Sequence, residues 1–319
     1  MDGKILLEAK GLYQEFPAAN RKKVHAVSDV DLTIYAGETL ALVGESGCGK
    51  STLGRTLLQL LPPKAGSVTF DGVELTTLKK KALKPYRRQM QLIFQDPYAS
   101  LDPRMTVRDI VAEPLETYKI CATKAETTEK VKTLLHAVGV PEEFLYRYPH
   151  QFSGGQRQRI GIARAIALQP KLIVCDEPVS ALDVSVQSQV LNLMKDLQAD
   201  FGLTYLFISH DLSVVKFMAD RVAVMFLGKL CEIAETRDLY ENPLHPYTRF
   251  LLAAIPKADP KDREREKNLL QGEVPSPIDV PTGCRFHTRC PYATEQCRRE
   301  EPPLRAVGNR QVACFQTEF

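Results

Sequence analysis

Eight consecutive residues, Gly44, Glu45, Ser46, Gly47, Cys48, Gly49, Lys50 and Ser51, leave this chain few folds to choose from. They follow a strand-like run, Thr39 to Val43, and open a helix starting near Gly49, the placement a phosphate-binding loop requires. Glycines let backbone N–H groups curl around phosphate oxygens, and the helix N-terminus adds partial positive charge. Lys50 is expected on the β- and γ-phosphates, Ser51 on Mg²⁺, and Thr52 continues the site into the helix. Such a loop needs a parallel strand behind it, so the chain is expected to be an α/β protein of the P-loop NTPase type.

The remaining pattern agrees. Buried-strand runs at Leu172 to Cys175, Thr204 to Ile208 and Val222 to Phe226 alternate with helical stretches. Between the strand ending at Val43 and the one starting at Leu172 lies a long insert, about 96–152, read as a helical subdomain; it includes Lys124 to Val138, which ends at Gly139 with Pro141 beyond. The main domain is set at 1–258. Lys257 to Lys267 reads as a charge-rich linker, and 259–319 as a small Cys-rich module. At 319 residues and 44% hydrophobic composition, one large domain plus an appendage is affordable. The formal charge of +3 on 25% charged residues disfavours an electrostatic nucleic-acid partner. The basic run from Lys79 to Arg88 reads as a solvated helix face, and no apolar run is long enough to cross a bilayer.

Hydrolysis needs a second metal carboxylate and a base, and Asp176-Glu177 closes a hydrophobic strand with such a pair. Asp176 is assigned to Mg²⁺ and Glu177 to the attacking water. A second small-residue turn, Ser153, Gly154, Gly155 and Gln156 after Phe152, opens another amphipathic helix and so a second anion site. One γ-phosphate does not need two such sites from one chain.

At this point the sequence resembles the ATP-binding cassette family, whose signature Leu-Ser-Gly-Gly-Gln differs here by Phe152. The resemblance implies that two cassettes face head to tail, the signature of one completing the ATP site of the other. It also implies that Gln95 is the γ-phosphate-sensing glutamine and a Mg²⁺ ligand. His210 is the implied switch histidine, Asp183 in Ser180 to Asp183 belongs to the loop that communicates across the dimer, and Phe16 stacks on adenine, with Tyr13 close by. The expected cofactors are ATP and Mg²⁺.

Beyond the cassette, Asn242 to Thr248, Leu251 to Pro256 and Gly272 to Pro277 resemble the C-terminal region of oligopeptide and dipeptide importer ATPases, whose relatives also import nickel, glutathione and murein peptides. The resemblance implies a peripheral protein on the cytoplasmic face of the cell membrane. Its implied partners are a second, homologous ATPase rather than a copy of itself, two permease subunits and, indirectly, an extracytoplasmic peptide-binding protein. Of 8 cysteines, Cys284, Cys290, Cys297 and Cys314 crowd the tail. Their spacing suits one soft centre; zinc with His287 replacing a thiolate, or unliganded thiols, stay open, and the resemblance favours a [4Fe–4S] cluster. Cys48 is read as filling space in its loop, with alkylation there expected to occlude the phosphates. A chromosome-organising cassette would need a long coiled coil between Gln95 and Ser153, a ribosome-acting one a second cassette, and a GTPase an Asn-Lys-x-Asp motif. A non-hydrolysing regulatory subunit is opposed by Glu177 and His210.

Overall fold

The computed structural model describes residues 3–255, 273 and 275–316. The linker Lys257 to Lys267, the 258/259 boundary, Gly272 and Val274 lie outside the described residues. The chain divides into two compact units. One gathers Tyr35–Glu38 and Thr77–Ile208; the other gathers Ile5–Ile34, Thr39–Thr76 and the chain from Ser209 onward.

In the second unit, two long strands, β1 (Ile5–Pro17) and β2 (Lys23–Tyr35), form an antiparallel sheet with β4 (Ala65–Phe70) and β5 (Val73–Glu74) in the order β2-β1-β4-β5. The loop strand β3 (Thr39–Val43) is buried throughout and pairs in parallel with β9 (Arg221–Phe226), Val43 opposite Val224. Beyond β9 the pairing turns antiparallel through β10 (Lys229–Glu235), β12 (Arg310–Val312) and β11 (Arg305–Val307). Helices α1 (Lys50–Leu57), α7 (Leu212–Met218), α8 (Thr236–Glu241), α9 (Pro246–Ala253) and α10 (Glu295–Arg299) complete it.

The tail, set apart in the sequence, shares a core with this sheet. Phe286 is fully buried against Phe226 and Tyr247, with ring centroids 5.3 Å away in both cases. An apolar segment this small cannot bury enough surface alone, so it docks on a larger core. Local sequence patterns give no sign of that docking, because the rings involved stand far apart along the chain.

In the first unit, β6 (Met90–Ile93), β7 (Leu172–Asp176) and β8 (Thr204–Ser209) run parallel, Ile93 opposite Cys175 and Asp176 opposite Ile208. Their near-continuous burial is the mark of strands covered on both faces. Helix α2 (Lys80–Gln89) leads into β6 and buries Leu83 alone among its residues, as a solvated basic face should. Helices α3 (Val107–Thr117) and α4 (Lys124–Ala137) occupy the insert; each is N-capped by a threonine, Thr106 and Thr123, accepting from the amide three residues on. Helices α5 (Gly154–Ile166) and α6 (Val184–Phe201) flank β7 in sequence. Among the described residues, no helix is long and apolar enough to cross a membrane.

Candidate functional site

The phosphate loop has the backbone its glycines promise. Gly44, Gly47 and Gly49 have φ of 155°, 78° and 107°. A Cβ on Gly44 would stand 2.1 Å from the Met225 carbonyl oxygen, and one on Gly49 2.0 Å from that of Ala26, so the loop lies directly on neighbouring main chain and cannot move aside. Lys50 is buried, and its Nζ donates to the carbonyls of Gly44 at 2.7 Å and Glu45 at 2.9 Å. Helix α1 starts at Gly49 with no side-chain cap. Ser51 and Thr52 follow on its first turn, partly buried, whereas Ser46 and Gly47 are exposed at the loop tip. Cys48 is buried, and burial pushes its thiol up.

In the first unit, Asp176 ends β7 buried, and Glu177 follows with φ of 47°, a left-handed backbone that a non-glycine residue adopts only where its surroundings enforce it. The enforcement is visible: the Glu177 N–H donates to the Ile208 carbonyl at 3.0 Å, and its own carbonyl accepts from Ser180 Oγ at 3.1 Å. The Glu177 carboxylate meets Gln95, whose Nε2 donates to Glu177 Oε2 at 3.0 Å across 82 residues of chain. The structure thus brings together two residues that the sequence assigned to one event. His210 belongs to the other unit; it is exposed just past β8, and the neighbouring Asp211 is occupied in capping α7.

Ser153 caps α5 in a closed box, its Oγ accepting from the Gln156 N–H while Gln156 Oε1 accepts from the Ser153 N–H at 3.1 Å. Gly155 is bare for packing: a Cβ there would meet Val186 Cγ1 at 2.3 Å, and one on Gly154 would meet Leu182 Cδ2 at 3.2 Å. Arg157 lies 3.9 Å over the Tyr98 ring and donates to the Phe152 carbonyl, fixing the approach to the turn. Asp183 sits at the N-cap position of α6 with no side-chain bond to that helix. Phe16 is partly buried near the end of β1; Tyr13 is exposed and feels the charges of Asp29, Glu301 and Arg285.

Cys284, Cys290, Cys297 and Cys314 all line one small cavity of about 10 Å³, together with His287. His287 Nδ1 is within 2.8 Å of the Cys284 carbonyl. Burial pushes the Cys284 thiol up to about 12 and that of Cys290 up to about 11, so both are protonated thiols at neutral pH. Among the described residues, no group of three or more His, Cys, Asp or Glu side chains stands in metal-holding geometry. The cysteines converge, but without a formed metal cage.

Arg289 and Tyr247 are contacts of the loop that the sequence did not reveal as such. Arg289 reaches Glu45, and the Tyr247 hydroxyl accepts from the Glu45 N–H at 2.9 Å. Separations of 244 and 202 residues hide both from any local pattern.

Comparison with known proteins places the chain. A family model described as ABC transporter matches residues 27–180, and one described as the oligopeptide/dipeptide transporter C-terminal region matches 231–297. The chain is 54% identical over 311 residues to a putative oligopeptide transport ATP-binding protein, YkfD, of Bacillus subtilis, covering 97% of this chain and 94% of that one. It is 51% identical over 318 residues to the oligopeptide transport ATP-binding protein AppF of the same organism, covering 97% and 96%. The dimeric post-hydrolysis structure of the ATP-binding cassette MJ0796 bound to ADP and Pi superposes with a TM-score of 0.67 at 29% identity, covering 73% of this chain and 99% of that one. The fold and loop define an ATP-binding cassette. More narrowly, the chain belongs to the ABC transporter ATPases that carry the oligopeptide/dipeptide transporter C-terminal region.

Proposed function

We propose that this chain is the ATP-hydrolysing subunit of a membrane importer for oligopeptides or dipeptides. It is half of a paired motor seated peripherally on the cytoplasmic face. The observation that supports hydrolysis is the Gln95–Glu177 contact, which fixes a carboxylate beside the glutamine assigned to the γ-phosphate, where a general base for water is needed. Names of the relatives, oligopeptide transport ATP-binding proteins, support the cargo class, and the dimeric cassette MJ0796 supports pairing. Uptake of nickel, glutathione or murein peptides is the second reading, carried by the same C-terminal region.

Residues 1–258 form the cassette, 96–152 pass its state to the permeases, and 259–319 form the tail module. ATP binds with its phosphates on Gly44, Glu45, Ser46, Gly47, Cys48, Gly49, Lys50, Ser51 and Thr52 and its adenine on Phe16. Ser51, Asp176 and Gln95 offer a hydroxyl, a carboxylate and an amide oxygen, the hard donors Mg²⁺ takes, and would hold it. Bound there, Mg²⁺ supplies charge that offsets the β- and γ-phosphates. Ser153, Gly154, Gly155 and Gln156 of one cassette complete the site of the other, a homologous ATPase, with Asp183 reporting across the interface. Closure drives the permeases outward, Glu177 then deprotonates the attacking water, and His210 steadies the γ-phosphate.

The tail thiols Cys284, Cys290, Cys297 and Cys314 would hold a [4Fe–4S] cluster. Their convergence on one cavity supports this, and loading has to displace thiol protons and widen the cavity. Protein prepared anaerobically is expected to absorb near the visible–ultraviolet border; colourless protein free of iron and zinc overturns the tail assignment. For the motor, ATPase turnover of wild type and Glu177→Gln is measured with the permease subunits. Turnover is expected to fall about 100-fold or more with ATP-dependent dimerisation kept. Undiminished hydrolysis by the Gln variant removes Glu177 as the base.

A further inference from the structure

We propose that Arg289 is a positioning residue for the phosphate loop, and that through it the cysteine-bearing tail and the nucleotide site are energetically coupled. The inference rests on reading Gly44 to Ser51 as the nucleotide site. Arg289 stands next to Cys290, yet its guanidinium lies on Glu45, the second residue of the loop. Nη1 donates to Glu45 Oε2 at 2.7 Å and Nη2 to Oε1 at 3.2 Å, a two-pronged contact whose planarity fixes the carboxylate in direction as well as distance. The Arg289 side chain is 6% exposed and that of Glu45 25%, so the pair is far from a solvated surface bridge.

Three further contacts make the pair a linkage. The Glu45 N–H donates to the Tyr247 hydroxyl at 2.9 Å, so the same residue is gripped by its backbone as well. Tyr247 packs on Phe286, three residues before Arg289, which ties both grips to one aromatic cluster. The Glu45 carbonyl accepts from Lys50 Nζ at 2.9 Å. A rotation of the Glu45 peptide therefore moves an anchor of the phosphate-binding lysine. Arg289 Nε is buried without a hydrogen-bond partner, so the guanidinium is held where one donor goes unmet. Glu45 is its compensating charge, and removing Glu45 leaves the guanidinium buried and uncompensated.

A bridge that only stabilises the fold would not make the two regions answer to each other; a coupled pair must, in both directions and by the same factor. In the full chain, affinity for a non-hydrolysable ATP analogue is measured for wild type, Arg289→Ala, Glu45→Ala and the double variant. Hydrogen exchange of the segment 284–298 is followed with and without the analogue. Each single variant is expected to weaken binding by about 5- to 20-fold, with the double variant no worse than the weaker single. In wild type the analogue is expected to slow exchange of the tail segment, and in either single variant to leave it unchanged. Glu45→Ala leaves every residue of the tail in place, so it reports even if Arg289→Ala unsettles the tail's fold. Affinities within twofold of wild type, losses that multiply in the double variant, or a tail whose exchange ignores the analogue in wild type each overturn the coupling. Lys50→Ala separates the two readings. If it still binds the analogue as wild type does, the nucleotide-site reading fails and the proposal with it; if it loses binding while the Glu45 and Arg289 variants bind within twofold of wild type, the coupling alone fails.

Discussion

Helices α1 and α5 both begin at a Ser/Gly-rich turn, and the chain finishes the two beginnings in opposite ways. At α1 no side chain caps the helix, and the nearby cation, Lys50, rests on loop carbonyls. At α5 the chain closes its own box, Ser153 and Gln156 meeting each other's amides. The glycines differ in kind too. Gly44 and Gly49 are bare because main-chain oxygens lie against them, whereas Gly155 is bare because the Val186 side chain does. An uncapped helix start favours an anion from outside, while a self-capped start stands without one. The first turn therefore suits the phosphate proposed for it, and the second is complete by itself, as the proposed role in a partner's site requires.

The largest effect should come from the first turn. Lys50→Ala is expected to weaken ATP binding by an isolated chain about 100-fold, since a buried charged donor is lost; equilibrium dialysis that finds ATP retained breaks the comparison at its root. Next, Gly155→Ala should lower the thermal stability of the first unit by about 1–3 kcal/mol through crowding of Val186, leaving ATP affinity of the isolated chain alone. Ser153→Ala should cost about 1 kcal/mol of local stability as a lost cap. It should also reduce turnover in the assembled transporter but not ATP binding by one chain; weakened binding by one chain would erase the distinction.

A third helix start sharpens the contrast at the small end. His245 begins α9, its Nδ1 accepting from the Tyr247 N–H at 3.0 Å, so this cap works only as neutral imidazole. Burial pushes its pKa down to about 3 from the ordinary 6.5. Above pH 6.5 the cap is fully present. Between 6.5 and about 3 the unfolded chain takes up a proton that the folded chain refuses, so stability declines as pH falls through that window. His245→Gln should show a flatter decline of the urea midpoint over that range than wild type; parallel curves would show that the imidazole contributes nothing to the slope.

Much of this was readable in the sequence where a feature is local. Strands β3, β7, β8 and β9 are unbroken buried runs, and their bounds fall within a residue of those read from the pattern. The two longest strands, β1 and β2, were not picked out. β1 loses its alternation at a register shift between Lys10 and Tyr13, around Gly11 at φ 54°, and β2 carries Asp29 at φ 50° in mid-strand. The loop at Gly44 and the helix start at Ser153 were legible as local structure because each turn is written in consecutive residues. The contacts Gln95–Glu177 and Glu45–Arg289 were not, because nothing near Arg289 in sequence distinguishes it from other basic residues of the tail. The role of Gln95 came from family likeness, and its partner only from the fold.

The left-handed backbone of Glu177 has a consequence for anyone who improves this protein by screening. A side chain there works against the local conformation, and glycine or asparagine would not. Selection for heat resistance alone should thus drift toward Glu177→Gly, which on the proposed reading of Glu177 as the base is a sturdier molecule that holds ATP and no longer spends it. A robustness screen on this chain needs a transport readout beside it, or its best survivors will be motors that have stalled.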